Sequence, residues 1–377
     1  MTTGMDLFST LSQVNGKMVV MWLIGALLIY LGIRKKMEPA LLIPIGFGAI
    51  LVNLPFSGAV TQLVAGVLEE GPLDTLFQAG IANELFLLIL FIGLGAMIDF
   101  SPLLAQPYLA ILGLAAQAGI FITLFLARGL GFSPQDAASV GIIGAADGPT
   151  AIFVANHFSS RYIGTIVVTA YSYMALVPLM QPLVVRLLTT RKERLIRMPS
   201  PEKMVSRRAR ILFPILVTAV AGLLAPRSAA LIGFLMFGNL IRECGVLEAL
   251  SETARNVVPN LITLLLGLTV ASRMRAEDFL SAETLMILGL GLAAFVFDMA
   301  GGILVAKLLN LFLKRKVNPM LGACGISAFP MAARGVTKLA LSEDPENVLL
   351  MPALGVNVAG QIASVIAGGI LMGIIPR

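Results

Sequence analysis

The 377-residue chain holds one histidine (His157), one tryptophan (Trp22) and two cysteines (Cys244 and Cys324), which are far apart and form no CxxC pair. Zinc, haem and iron–sulfur sites therefore have almost no ligands to draw on. With a single tryptophan there is no aromatic platform for stacking bases, and no nucleic-acid partner is expected. Charge is scarce too. Only 13% of residues are Asp, Glu, Lys or Arg, about half the share in soluble domains, ~25%. What is abundant is apolar: 58% by the AVILMFWYC count, with 37 Gly and 18 Met, and a mean hydropathy of +0.92. The formal charge of +6 is confined to Arg191–Arg210, where eight basic residues face two acids, Glu193 and Glu202. The remainder is neutral and greasy. Soluble enzyme, disordered chain and DNA-binding domain are excluded, and the composition is that of an integral membrane protein.

A membrane-crossing helix needs about 20 mostly apolar residues. Ten stretches are expected to span, near 17–34, 38–55, 82–99, 104–128, 162–190, 211–226, 229–242, 257–272, 282–313 and 348–375. The first 17 residues lack the basic n-region of a cleavable signal peptide, so the first stretch is expected to be retained. Two further segments, near 135–156 and 318–338, are apolar but interrupted by Gly, Pro and polar residues. Lys/Arg-rich loops stay on the cytoplasmic side. That rule places Arg34-Lys35-Lys36, the 191–210 run and Lys314-Arg315-Lys316 inside, and the acidic 55–81 connection outside. All four fall correctly only if the two interrupted segments enter and leave on one side. The basic run is then a cytoplasmic linker able to touch acidic lipids.

The halves around this linker resemble each other. Gly46-Phe47 is echoed by Gly233-Phe234, and Gly93-Leu94 by Gly267-Leu268. The stretch Gly141-Ile142-Ile143-Gly144-Ala145-Ala146-Asp147-Gly148-Pro149 is echoed by Gly322-Ala323-Cys324-Gly325-Ile326-Ser327-Ala328-Phe329-Pro330. With five spans and one re-entrant segment each, the halves have opposite orientations. The expected fold is thus an all-α polytopic membrane protein with two inverted-topology repeats, each with a broken or re-entrant helix. Residues 1–190 form the first repeat, 191–210 the linker and 211–377 the second. Secondary transporters share this plan and place ions where broken helices meet.

Asp147 lies inside an apolar segment, where a carboxylate costs several kcal/mol unless a cation, proton or donor compensates. Gly148-Pro149 beside it opens the helix and frees carbonyl oxygens. One carboxylate with several carbonyls suits a weakly charged hard cation such as sodium. An ordinary helix-capping aspartate is the alternative. In the matching segment the ligands are neutral: Asn318, Ser327 and carbonyls released by Pro330. Arg334 either balances Asp147, holds an anionic substrate or anchors a helix end. Tyr173 sits mid-span and needs a partner for its hydroxyl. Asp99 is read as a solvated interfacial acid, and Asp298, Glu243 and Arg273 as weaker candidates.

These motifs resemble the β subunits of sodium-translocating biotin-dependent decarboxylases, the oxaloacetate, methylmalonyl-CoA, glutaconyl-CoA and malonate systems. The matching stretches begin with Glu38-Pro39-Ala40-Leu41-Leu42-Ile43-Pro44-Ile45-Gly46-Phe47 and Gly93-Leu94-Gly95-Ala96-Met97-Ile98-Asp99-Phe100. Gly144-Ala145-Ala146-Asp147-Gly148-Pro149-Thr150, Ser327-Ala328-Phe329-Pro330-Met331-Ala332-Ala333-Arg334 and Gly355-Val356-Asn357-Val358-Ala359-Gly360 complete the match. The resemblance implies that Asp147, Tyr173 and Arg334 serve the reaction. It further implies that Asp147, Asn318, Ser327 and Gly322 hold sodium, and that Arg334 and Ser327 meet carboxybiotin. The implied activity is decarboxylation of carboxybiotin coupled to sodium export, with one proton consumed. No Met-Lys-Met biotin-acceptor tripeptide occurs in the chain, so biotin arrives on a partner. A biotin carrier subunit, a carboxyltransferase subunit and a small membrane-anchoring subunit are implied, in a prokaryotic plasma membrane, and a homo-oligomer is expected. A stand-alone sodium/proton antiporter or sodium/carboxylate symporter shares the composition and the Asp147 site; only the motifs separate the two readings.

Overall fold

In hydrocarbon no water answers an exposed peptide group, so each apolar run must close its own hydrogen bonds as a helix. The computed structural model describes residues 12–64, 66–199 and 205–377 and is helical almost throughout. The start of the first expected repeat and the middle of the linker, with Glu202 and Lys203, lie outside the described residues. In chain order the principal helices are α1 (Gly16–Arg34), α2 (Pro39–Val52), α3 (Pro72–Leu76), α4 (Leu85–Met97), α5 (Ala110–Ala116), α6 (Ala118–Gly129), α7 (Pro134–Gly141) and α8 (Gly148–His157). They continue as α9 (Ile163–Leu188), α10 (Arg207–Leu224), α11 (Ala229–Cys244), α12 (Glu248–Asn256), α13 (Val258–Ala271), α14 (Ala282–Phe312), α15 (Met331–Glu343) and α16 (Leu350–Ile374). The acidic 55–81 connection carries a small hairpin, β1 (Gln62–Val64) paired antiparallel with β2 (Val67–Glu69).

Each of the ten expected spans coincides with a helix or a pair of helices. Among the described residues six stretches are long and apolar enough to cross a membrane unaided: Gly16–Lys35, Pro107–Gly129, Ile163–Leu188, Glu248–Ala271, Ala282–Phe312 and Leu350–Ile374. A seventh forms if Pro72–Ala82 and Leu85–Met97, which meet at 60°, count as one. The helix α2, with 14 residues, rises only about 21 Å, less than the ~30 Å hydrocarbon layer. The Pro107–Gly129 stretch is interrupted at Gln117, between α5 and α6. Its amide folds back on Gly113 O (3.0 Å) and reaches Gly325 O (3.0 Å). Leu187, Leu223 and Phe312 stay largely exposed, as lipid-facing side chains do.

Both interrupted segments are broken helices. In the first, Ser133 caps α7 by accepting from Asp136 N, with Pro134 in the first turn, as such a start prefers. The chain tightens to a 3-10 turn at Ile142–Ala145, turns left-handed at Ala146 (φ +51°) and restarts at α8 behind Asp147. In the second, Asn318 caps a 3-10 turn, Pro319–Cys324, the chain opens over 325–330, and α15 follows. The two breaks touch: Ser327 N donates to Ala145 O at 2.8 Å.

Contacts between the halves are exchanged in pairs. Gly48 of α2 lies on Ala271 of α13, while Gly95 of α4 lies on the backbone of Leu235 in α11. Likewise α9 packs on α15, and α16 on α8. A Cβ placed on Gly238 of α11 would sit 2.0 Å from Ile92 O, a backbone atom that cannot rotate away. Gly238→Ala is therefore expected to cost about 2 kcal/mol or more by overpacking, read as a lower thermal midpoint in detergent. Gly233→Ala, whose methyl meets nothing nearer than 3.7 Å, should show no such loss.

Candidate functional site

A cavity of about 230 Å³ lies beside the crossing of the two breaks. Asp147, Gly148 and Pro149 line it from the first broken helix, Ser327 and Phe329 from the second, and Tyr171, Gln361 and Glu38 close its flanks. Asp147 is 3% exposed, and no cation pairs with it among the described residues. Its Oδ2 accepts from Thr150 Oγ1 (2.7 Å), Ser364 Oγ (2.8 Å) and Gln361 Nε2 (2.9 Å). Its Oδ1 has a single long bond from Thr150 N, 3.3 Å. Neutral donors, each worth more when the acceptor is charged, hold one oxygen in place. The other is left weakly engaged. Asp147 is also the cap of α8, where the positive helix end favours negative charge.

Gly148 owes its identity to Tyr171: a Cβ there would stand 2.1 Å from the ring carbon that carries the hydroxyl. The ring is thus pressed on the backbone next to Asp147. Tyr173, two residues on, points elsewhere and donates its hydroxyl to Leu288 O of α14.

The second break is held by three amide side chains. Gln181 of α9 donates to Ala323 O and Ala332 O, both at 3.0 Å. Asn357 of α16 donates to Cys324 O (3.2 Å) and Ile326 O (2.7 Å). Gln117 donates to Gly325 O, as described above. Each NH2 group spends both hydrogens on carbonyls, so its own carbonyl oxygen is left over. Among the described residues Gln117 Oε1, Gln181 Oε1 and Asn357 Oδ1 are buried without a donor. Ser327 Oγ donates to Gly360 O at 3.2 Å. These three amides lie behind the cavity lining, which carries two carboxylates, Asp147 and Glu38.

A protein-family model described as the Na+-transporting oxaloacetate decarboxylase beta subunit matches residues 17–375. The chain belongs to that family. Among relatives, the methylmalonyl-CoA decarboxylase subunit beta of Propionigenium modestum is 46% identical over 373 residues, 94% of each chain. That of Veillonella parvula is 46% identical over 353 residues, 94% of this chain and 92% of its own. The oxaloacetate decarboxylase beta chain of Klebsiella pneumoniae is 42% identical over 416 residues, 96% of each. The protein is thus a membrane component of a sodium-transporting decarboxylase.

Of the six residues that the resemblance implicates, Asp147 and Ser327 share the cavity. The other four stand apart. Asn318 donates to Arg194 O (2.9 Å) and Ile196 O (2.7 Å), tying the linker to the start of the second broken helix. The same linker stretch pairs Arg194 with Glu343 (3.1 Å), and Arg197 with Asp344 (2.8 Å) and Glu346 (2.6 Å). Gly322 lets its turn touch the backbone of Gly302 in α14, where a Cβ would meet Gly302 C at 2.1 Å. Arg334 is exposed in the first turn of α15, without an ion pair among the described residues. Asp99 is half-exposed and 3.9 Å from Arg242, and Glu243 pairs with Arg210 at 3.2 Å. Arg273 lies over the Phe77 ring.

Gln181, Gln361 and Ser364 were not picked out by sequence reasoning, and Thr150 and Asn357 only as parts of motifs. Their common signal is an isolated amide or hydroxyl in an otherwise apolar span. Gln181→Leu keeps the bulk but strips donors from two buried carbonyls. Ala332 O keeps the Cys324 thiol, so one buried carbonyl, Ala323 O, is left unsatisfied. At about 1–3 kcal/mol for such a group the variant should lose about that much, seen as a lower thermal midpoint and faster proteolysis of the 325–330 region.

Proposed function

We propose that the protein decarboxylates carboxybiotin carried by a partner subunit and couples that reaction to sodium export, consuming one proton. The observation that carries this reading is the buried Asp147 carboxylate, which lines a cavity beside the touching point of two broken helices with no cationic side chain in the cavity lining. Sodium is the cargo. Asp147 Oδ1 and Ser327 would face it, while Thr150, Gln361 and Ser364 hold Oδ2 fixed. A proton returning to the same carboxylate displaces the ion, which links the two.

Arg334 supports the carboxybiotin half of the reading. A cation in the first turn of a helix opposes the helix dipole, so its place in α15 is not explained by helix stability. Exposed in the first turn, it is suited to receive the carboxylate of an incoming carboxybiotin in a bidentate grip. Tyr173 buttresses α9 against α14, and Asn318 and Gly322 set the second broken helix in place. The exchanged helix contacts support two inverted repeats; the Lys/Arg-rich loops support a linker on the cytoplasmic face of a prokaryotic plasma membrane. Partners of the implied kinds (a biotin carrier, a carboxyltransferase and a small anchoring subunit) complete the system. The named relatives act in oxaloacetate and methylmalonyl-CoA systems, and the choice of acid rests with the carboxyltransferase.

Sodium-dependent CO2 release from proteoliposomes is expected once a carboxybiotinylated carrier is supplied; sodium flux with no biotin requirement would overturn the reading in favour of a stand-alone carrier. In Asp147→Asn, the rise in thermal midpoint that sodium gives the wild type should vanish; an unchanged rise refutes the ion site. Arg334→Lys keeps charge but loses the planar fork, so turnover should fall roughly tenfold or more while the sodium concentration for half-maximal protection stays put.

A further inference from the structure

A second carboxylate is buried at comparable depth and has no part in the proposed site. Asp298 lies midway along α14, is 0% exposed and forms no ion pair among the described residues. One oxygen is fully employed. Oδ1 accepts from Ile120 N at 3.1 Å, in the opening turn of α6, just past the interruption at Gln117. The 12-residue α6 presents its positive end there. The other oxygen is not employed. Oδ2 is buried and lacks a hydrogen-bond partner among the described residues. It is aimed at the first broken helix, since a Cβ on Gly144 would lie 2.8 Å from Oδ2 and 2.8 Å from Ala294 Cβ. Gly144 belongs to the 3-10 turn that leads into Asp147.

We propose that Asp298 is a proton-binding site, taking one proton from water onto Oδ2 to become a neutral acid and releasing it again. A buried anionic oxygen without a donor is costly, and two ligands would relieve it. A hard metal cation collects several oxygens, whereas here one oxygen faces a glycine gap too tight for a methyl group. A proton needs only the one. Oδ1 keeps its backbone bond in either state, so the cap on α6 survives the cycle, and what changes is the charge pressed against Gly144.

No other titratable group holds this position. On the helices packed against α14, Arg128 bonds Phe132 O, Asp136 bonds Ser133 and Ser160, and Tyr173 bonds Leu288 O. The Cys324 thiol points at Ala332 O, Tyr171 lies on Gly148, and Arg186 is at the far end of α9. On α14 itself, Glu283 is in the first turn and Lys307 bonds Leu188 O. If Asp147 holds sodium as proposed above, a consequence follows: an ionised Asp298 favours a cation at Asp147, and protonation weakens that pull. The proton site itself does not depend on that reading.

Infrared difference spectra of the full chain in lipid, recorded as the pH is lowered, test the assignment. The expected result is a protonated-carboxyl C=O band that responds to pH and to D2O, disappears in Asp298→Asn and persists in Asp147→Asn. Gly144→Ala, which puts a methyl against Oδ2, should shift the band's frequency. Spectra of Asp298→Asn that match the wild type at every pH would overturn the proposal, as would loss of the band in Asp147→Asn. If Asp298→Asn does not fold, Gly144→Ala decides alone: a band that does not move refutes the assignment.

Discussion

A helix opened inside a membrane must find new partners for every peptide group it frees, and the rest of this structure follows from that requirement. The break at 325–330 leaves the carbonyls of Ala323, Cys324, Gly325 and Ile326 to be answered from outside their own segment. They are answered by Gln117, at the interruption between α5 and α6, Gln181 of α9 and Asn357 of α16. Ala145 O, freed by the first break, is answered by Ser327 N from the second. The two breaks therefore complete one another. Neither could open alone at this depth without stranding a buried polar group at roughly 1–3 kcal/mol.

That mutual completion demands close approach, which small residues grant. Gly322 rests on Gly302, Gly360 on the backbone of Gly325, and Gly113 on Ala359 and Gly360, at distances where a Cβ would collide with main chain. These glycines stand at three different crossings. The backbone can thus run past backbone, and the amide side chains span the short gaps that remain. The close packing also decides where space is left: the cavity beside Asp147 exists because Tyr171 lies flat on Gly148 and fills only one side of it.

Much of this was legible in the sequence, for physical reasons specific to each feature. Asp147 stood out because a carboxylate in an apolar run is expensive, and Gly148-Pro149 announced the break. Both interrupted segments were visible as Gly, Pro and polar insertions, and loop charge alone forced them apart from ordinary spans. The interruption at Gln117 was not visible, because it depends on a carbonyl 208 positions away, Gly325 O. Tyr171 and Tyr173 are equivalent by composition; only the helix phase of α9 shows that the former faces Asp147 and the latter Leu288. Asp298 was underrated because its stretch of α14 carries no Gly-Pro break to mark it. Its significance lies in the break of a different helix, the one it caps.

The distribution of charge between the breaks gives the arrangement its direction. The first break carries Asp147 at its positive helix end, and the second carries only neutral oxygens, with Arg334 displaced to the exposed first turn of α15. The cavity is lined by Asp147 from one break and Ser327 from the other, so it meets oxygens from both halves and a formal charge from one. A cation placed there gains from the carboxylate without facing a competing ammonium or guanidinium. The basic residues are kept at the linker, where Arg194 and Arg197 are engaged with Glu343, Asp344 and Glu346. Because that linker is also tied to Asn318, a protein that displaced it would pull on the segment whose far end bonds Ala145, two residues from Asp147. Surface and centre are thus joined by one short stretch of backbone, from Asn318 to Ser327.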